Sequence, residues 1–333
     1  VVSAPGTGSG DDLLDQPAIV GVRRITVRLV DRAEHRWRRL TAAAPADRTP
    51  DGPASDTLHD FRVALRSLAS WVQTHNDILG LSGKNRRRLR AAVAATSSMR
   101  DTEVLAAQLR SIELPSDAGS TAARSWATQL LCEAQAVDRL DEIANDVNRS
   151  LAAIRAAAAT VRWEQPVSAP WLFPSLAADL APRVRTQEAK IRHRLELITG
   201  PDQVREQHRA RLAAKKLRYL FEPIESDLPE ARAALRELKQ LQNRLGDLHD
   251  LHTALDAVSA AADAAEHVTT KRGHRDDRSL RSGFDEVAAV FQSAADEAYA
   301  RFEQQCRTDR AAHLFVAVEA AATSLCARAS AEK

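Results

Sequence analysis

Two stretches of the chain place a histidine, an arginine and a further cation at positions 0, +3 and +7. In HDFRVALR these are His59, Arg62 and Arg66, and in HRARLAAKKLRY they are His208, Arg211 and Lys215. At about 100° per helical residue each triplet falls within an arc of roughly 60°, one strip on a helix. Arg218 and Tyr219 widen the second strip to about 100°, and Lys216 lies at its border. Around the first strip, Val63 and Leu65 point elsewhere and are expected to feed a core with Leu58, Leu68 and Trp71. The strips are made of donors. A forked guanidinium can hold two oxygens of one phosphate, and an ammonium adds a mobile point charge. An imidazole beside a polyanion charges more readily. Between Arg205 and Arg218 six Lys or Arg stand against one Glu, in a chain whose formal net charge is only +2. For either stretch alone, a solvated helix face is the plainer alternative.

The recurrence favours the anion-binding reading. His59 and His208 are 149 residues apart, and the same offset relates Arg62 to Arg211 and Arg66 to Lys215. It also relates Leu68 to Leu217, Arg87 to Arg236, Leu89 to Leu238 and Asp101 to Asp250. A register kept from the motif to a following acidic residue implies a duplicated multi-helix unit. Asp101 and Asp250 are expected to pair with nearby arginine and hold its fork in position.

The elements that must carry these strips are helices. Ala is abundant, Gly and Pro number 12 and 13, and aromatic residues make up 4% of the 333 residues. No segment sustains a period-two pattern, so the fold class is all-α. Breaks fall at 42–55, at GLSGKN (80–85), at Pro115 to Gly119 and at the Pro-rich 163–174. Helices are expected over roughly 120–162, 182–199, 202–225, 230–245, 247–266, 280–308 and 310–329, with a polar loop at 269–278. Residues 1–17 read as a flexible linker, the cut end of a longer chain. Residues 18–165 and 166–333 read as the two halves.

The paired motifs HDFRVALR and HRARLAAKKLRY, followed by MRDTEVL and LQNRLGDLHDL, resemble the CHAD domain, a family named for conserved histidines in an α-helical fold. The resemblance covers residues 19 to 328. It implies two four-helix bundles related by a pseudo-two-fold axis, their basic helices facing a shared groove or pore. It also implies binding of inorganic polyphosphate by His59, Arg62, Arg66, His208, Arg211, Lys215, Lys216, Arg218 and Tyr219. A CYTH triphosphatase domain fused ahead of Val1 and a cytoplasmic location, associated with polyphosphate granules, are further implications. The first copy departs from the family pattern at Ser67 and Ala69, where basic residues are usual. Lys216 and Arg218 keep them in the second copy, so the basic patch is expected to be lopsided.

Other functions find less support. HDLH (249–252) contains the His-Asp dipeptide of metal-dependent phosphohydrolases, and HVTTKRGH (267–274) adds two histidines. No consistent spacing supplies the further ligands that such an enzyme needs on facing helices. His249 and His252 read as surface residues, with no metal and no cofactor. Phosphate-cradling glycine loops and nucleophile signatures are missing, so the expected function is binding without catalysis. A metal-dependent phosphohydrolase acting on polyphosphate, or a module binding nucleic-acid backbone, is the alternative; few aromatics and no reader motif weigh against nucleic acid. Cys132, Cys306 and Cys326 lie far apart in apolar stretches and read as reduced core residues. No apolar run approaches the roughly 18 residues that span a bilayer. KNRRRLR (84–90) and Arg24, Arg28, Arg32 and Arg36 could extend an anion track, but solubilising surface is favoured for both.

Overall fold

The computed structural model describes residues 12–43, 55–110, 140–160, 174–272, 277–306 and 309–330, with isolated positions between 123 and 129. Ten α-helices occur among them: α1 (Ala18–Ala42), α2 (Ser55–Thr74), α3 (Asn76–Leu79), α4 (Gly83–Arg110), α5 (Leu140–Thr160), α6 (Leu176–Glu196), α7 (Val204–Phe221), α8 (Pro229–Arg272), α9 (Asp277–Cys306) and α10 (Asp309–Ser330). A 3-10 turn, Glu222–Ile224, extends α7. There is no strand among the described residues, and the protein is all-α. The expected breaks at 115–119 and most of 163–174 lie outside the described residues, as do the side chains of Cys132 and Cys306.

Helix neighbours close into two rings. In one, α1, α2, α4 and α5 pack in turn around an apolar centre, and in the other α6, α7, α8 and α10 do the same. Helix α9 lies along α8, with Phe284, Val287 and Phe291 against Ala254 and Val258. The rings are not separate globules, because one continuous core runs from Leu13 to Leu325 through both. Contacts α1–α6, α2–α7 and α4–α8 join them. Ion pairs lock the outer faces of the first ring: Arg36 with Asp60 at 2.6 Å, Arg88 with Asp146 at 3.0 Å, and Arg155 with Glu34 at 3.1 Å. Arg88, from the KNRRRLR run, is thereby a partner of α5.

Three expected helix limits need correction. Helix α6 begins at Leu176, not 182, because Ser175 caps it, its hydroxyl accepting from the Ala178 N–H at 3.2 Å. Pro182 is therefore inside the helix, at its seventh residue, where it forfeits its own main-chain hydrogen bond and its ring crowds the Ala178 carbonyl. Helix α8 runs unbroken through Gly246, where two helices were expected, and continues to Arg272, into the expected polar loop. A glycine costs about 1 kcal/mol against alanine in a helix, and the apolar burial of Leu241, Leu245 and Leu248 exceeds that. Gly80 does end a helix, at φ 64°, donating its N–H to the Asn76 carbonyl at 2.9 Å. Val63, expected in the core, is instead 39% exposed, while Leu58, Leu65, Leu68 and Trp71 are buried.

The crossing of α1 on α6 depends on Gly21. A Cβ there would lie 2.8 Å from Leu176 Cδ2 and 3.0 Å from Leu176 Cβ. The second atom is fixed to the backbone and cannot rotate away. Gly21→Ala is therefore expected to destabilise by about 1–3 kcal/mol through overpacking. Gly200→Ala, where nothing lies within 4 Å, is the control. Urea unfolding of both variants checks this, and equal midpoints would refute the tight crossing.

Candidate anion-binding site

The second strip lies on α7, which keeps Ala210, Ala213, Ala214 and Leu217 in the core and turns Arg211 and Lys215 to the boundary. Lys215 is half-buried and, among the described residues, has no hydrogen-bond or ion-pair partner. Three guanidinium groups surround it electrostatically: Arg211, Arg66 and Arg218, with Asp250 of α8 acting in the opposite sense. Burial first, then these cations, push its ammonium down to about 7 from the usual 10.5. An anion arriving beside a lysine so placed would favour its charged form.

Arg66 is the link between the two strips. It belongs to α2, yet its field acts on Lys215 and on Tyr219 of α7. One terminal nitrogen donates to the Ser97 hydroxyl of α4 at 2.7 Å, which orients the fork. Arg218 is held as firmly. Its Nη1 donates to Gln242 Oε1 at 2.7 Å, and its Nε meets Glu222 at 2.8 Å. Its guanidinium also lies 5.0 Å from the Tyr219 ring centroid. These supports leave the cations preorganised and crowded together, a field that favours an added polyanion.

Histidines close the other end. The rings of His208 and His249 are 4.7 Å apart, tilted by 49°. His208 Nδ1 is buried without a hydrogen-bond partner among the described residues. Burial, then Arg211 and Lys215, lower the pKa of His208. Burial foremost, then Arg211 and its neighbours, bring His249 down to about 4. The expectation that His249 is a surface residue is corrected: it is half-buried against the motif histidine.

The other expected site residues divide. Arg62 is only 5% exposed, so it is a buried arginine and not a face open to solvent. Tyr219 is likewise buried, and burial raises its pKa. Lys216 and His59 are exposed. Ser67, at the position matching Lys216, is buried, so the two strips differ in environment as well as in residue type. Asp250 opposes the arginines from beside Lys215, in keeping with a positioning role; the side chain of Asp101 lies outside the described residues. No group of three His, Cys, Asp or Glu side chains is arranged to hold a metal among the described residues. No described helix is long and apolar enough to cross a membrane.

A profile of the CHAD domain matches residues 31–259. A search of curated proteins finds none that matches. Among solved structures, the crystal structure of the CHAD domain from the plant Ricinus communis superposes with a TM-score of 0.60 at 17% sequence identity, covering 95% of this chain and 97% of that one. At that identity the likeness speaks to the fold.

Proposed function

Because the chain belongs to the CHAD domain family, we propose that it binds inorganic polyphosphate, without catalysis, in a groove where the two basic strips converge. The observation that supports this most is that Arg66, Arg211 and Arg218 all act on Lys215, which has no hydrogen-bond or ion-pair partner among the described residues and only Asp250 acting in the opposite sense. Such a cluster repels itself when empty and is relieved by closely spaced negative charges. Polyphosphate has a charge on each phosphate and no bases, so a track of donors suffices and no stacking platform is needed. Helix α2 ends at Thr74 and α7 at Phe221, and the 149-residue offset maps α2 onto 204–223, almost the span of α7. This supports an internal duplication that brings both strips to one place. The role that follows is to hold the protein, or a domain fused to it such as a CYTH triphosphatase, on polyphosphate in the cytoplasm.

Competition tests this reading. Long-chain polyphosphate should displace a labelled polyphosphate at physiological salt, whereas single-stranded DNA of equal charge should displace it weakly. Incubation with Mg²⁺, Mn²⁺ or Zn²⁺ should leave the polymer intact. Stronger displacement by DNA would favour a nucleic-acid module. Phosphate release abolished by replacing His249 and Asp250 would favour a phosphohydrolase.

A further inference from the structure

A second concavity, lined by three arginines and by Glu222 and Glu225, lies beyond the end of the α7 strip. It is a cleft of about 310 Å³ between α1 and the turn that follows α7. Arg28 and Arg32, one turn apart on α1, line one wall, and Arg232 at the start of α8 lines another. Arg28 and Arg32 have no hydrogen-bond or ion-pair partner among the described residues. Arg232 meets Glu225 only at 4.0 Å, with both side chains half exposed or more. Of the other arginines on α1, Arg36 holds Asp60, Arg38 meets Glu34 at 3.6 Å and Arg23 donates to the carbonyl of Ala159 at 2.9 Å, whereas Arg24 and Arg39 have no such partner among the described residues and do not line the cleft. The two that face the cleft are free to take a ligand.

One residue separates this cleft from the cluster around Lys215. Glu222 lines the cleft and also takes the Nε of Arg218 at 2.8 Å. Its carboxyl feels both Arg218 and Arg32, although burial still raises its pKa. Arginines thus stand on both sides of a single, half-buried carboxylate. The row runs from His208 through Arg211, Lys215 and Arg218 past Glu222 to Arg32 and Arg28. From His208 to Glu222 alone it extends about 21 Å along the helix axis.

We propose that the cleft between α1 and the turn after α7 is a second phosphate subsite, in which Arg28, Arg32 and Arg232 hold the continuation of a polyphosphate chain that passes Glu222 from the Lys215 cluster. This rests on the polyphosphate reading above and adds to it a length requirement. A short oligomer occupies the Lys215 cluster alone, and only a longer one reaches both. The arginines of α1, expected from the sequence to be solubilising surface, then divide: Arg28 and Arg32 bind, Arg36 is structural, and Arg24 is exposed away from the cleft.

The test is Arg28→Ala with Arg32→Ala, titrated with tripolyphosphate and with long-chain polyphosphate over a range of salt. Both residues are exposed and form no hydrogen bond or close ion pair among the described residues, so helical content should match the parent, and melting should change little although Glu222 loses the field of Arg32. The expected result is a loss of about fivefold or more for the long chain, with tripolyphosphate binding unchanged. The salt dependence should also flatten, by about 0.7 in the log–log slope for each phosphate no longer held, the value for single-stranded nucleic acid. Parent-like affinity and slope for the long chain would overturn the subsite alone. Equal losses for both ligands would overturn it too, since the effect would then be on the general field. If the unaltered protein binds neither ligand, the groove reading fails and the subsite with it.

Discussion

Replacing Arg211 and Lys215 together by alanine is expected to weaken long-chain polyphosphate binding by at least about thirtyfold, more than any change confined to α2. Charge-assisted hydrogen bonds contribute about 1.5–3 kcal/mol each, and about 1.4 kcal/mol is a factor of ten in affinity. Two such bonds sum to more than that even after part is offset by the desolvation of the bound anion. Arg211 stands between the histidine pair and Lys215, acting on His208, His249 and Lys215 alike. Its removal therefore lowers the field along the whole strip. The comparison in α2 is Arg66→Ala, expected to cost about tenfold or less, since a single charged donor is removed. Arg62 does not serve as a comparison, because it is 5% exposed and its truncation would disturb packing. Isothermal titration of each variant, with melting curves, checks the ranking. A larger loss from Arg66→Ala would show that the first strip dominates.

The second large effect is on pH. Lys215 titrates at about 7 in the free protein, held down by burial and by Arg211, Arg66 and Arg218. A bound polyanion favours the charged form, so binding takes up a proton wherever the free lysine is neutral. The sign follows: affinity rises as pH falls through this range. Each proton taken up is worth up to a factor of ten per pH unit, so affinity should rise about tenfold between pH 8.5 and pH 7. The internal phosphates of the chain stay ionised throughout and contribute no opposing trend. His208 and His249, also depressed, add uptake only at lower pH. Lys215→Arg keeps the charge at every pH and should bind with little dependence on pH above 7. A steep profile retained in Lys215→Arg would place the titrating group elsewhere.

The all-α fold was legible because composition and helical period agree, and most helix borders were marked by Gly, Pro or a cap. Two of the misread borders share a cause. Pro182 and Gly246 are breakers by propensity, but tertiary burial of their neighbours outweighs a local cost of about 1–3 kcal/mol. The strips could be found because a fixed 3.6-residue period puts His, Arg and Lys on one face. What the period cannot supply is the position of that face relative to other helices. Arg62 therefore falls in the interior while its counterpart Arg211 reaches the boundary. His249 joined the site for the same reason in reverse. It comes from α8, and its partner His208 lies 41 residues earlier in the sequence.

The most direct test is affinity as a function of phosphate chain length. If Arg66 of α2 and the α7 cations hold one polymer, a chain long enough to touch all of them gains from linkage what separate phosphates cannot. Titration with pyrophosphate, tripolyphosphate and long-chain polyphosphate at fixed ionic strength should show affinity climbing by at least about a hundredfold across the series, with salt dependence steepening in step. Equal affinity for pyrophosphate and long chains, with one flat salt response for all, would contradict a shared groove.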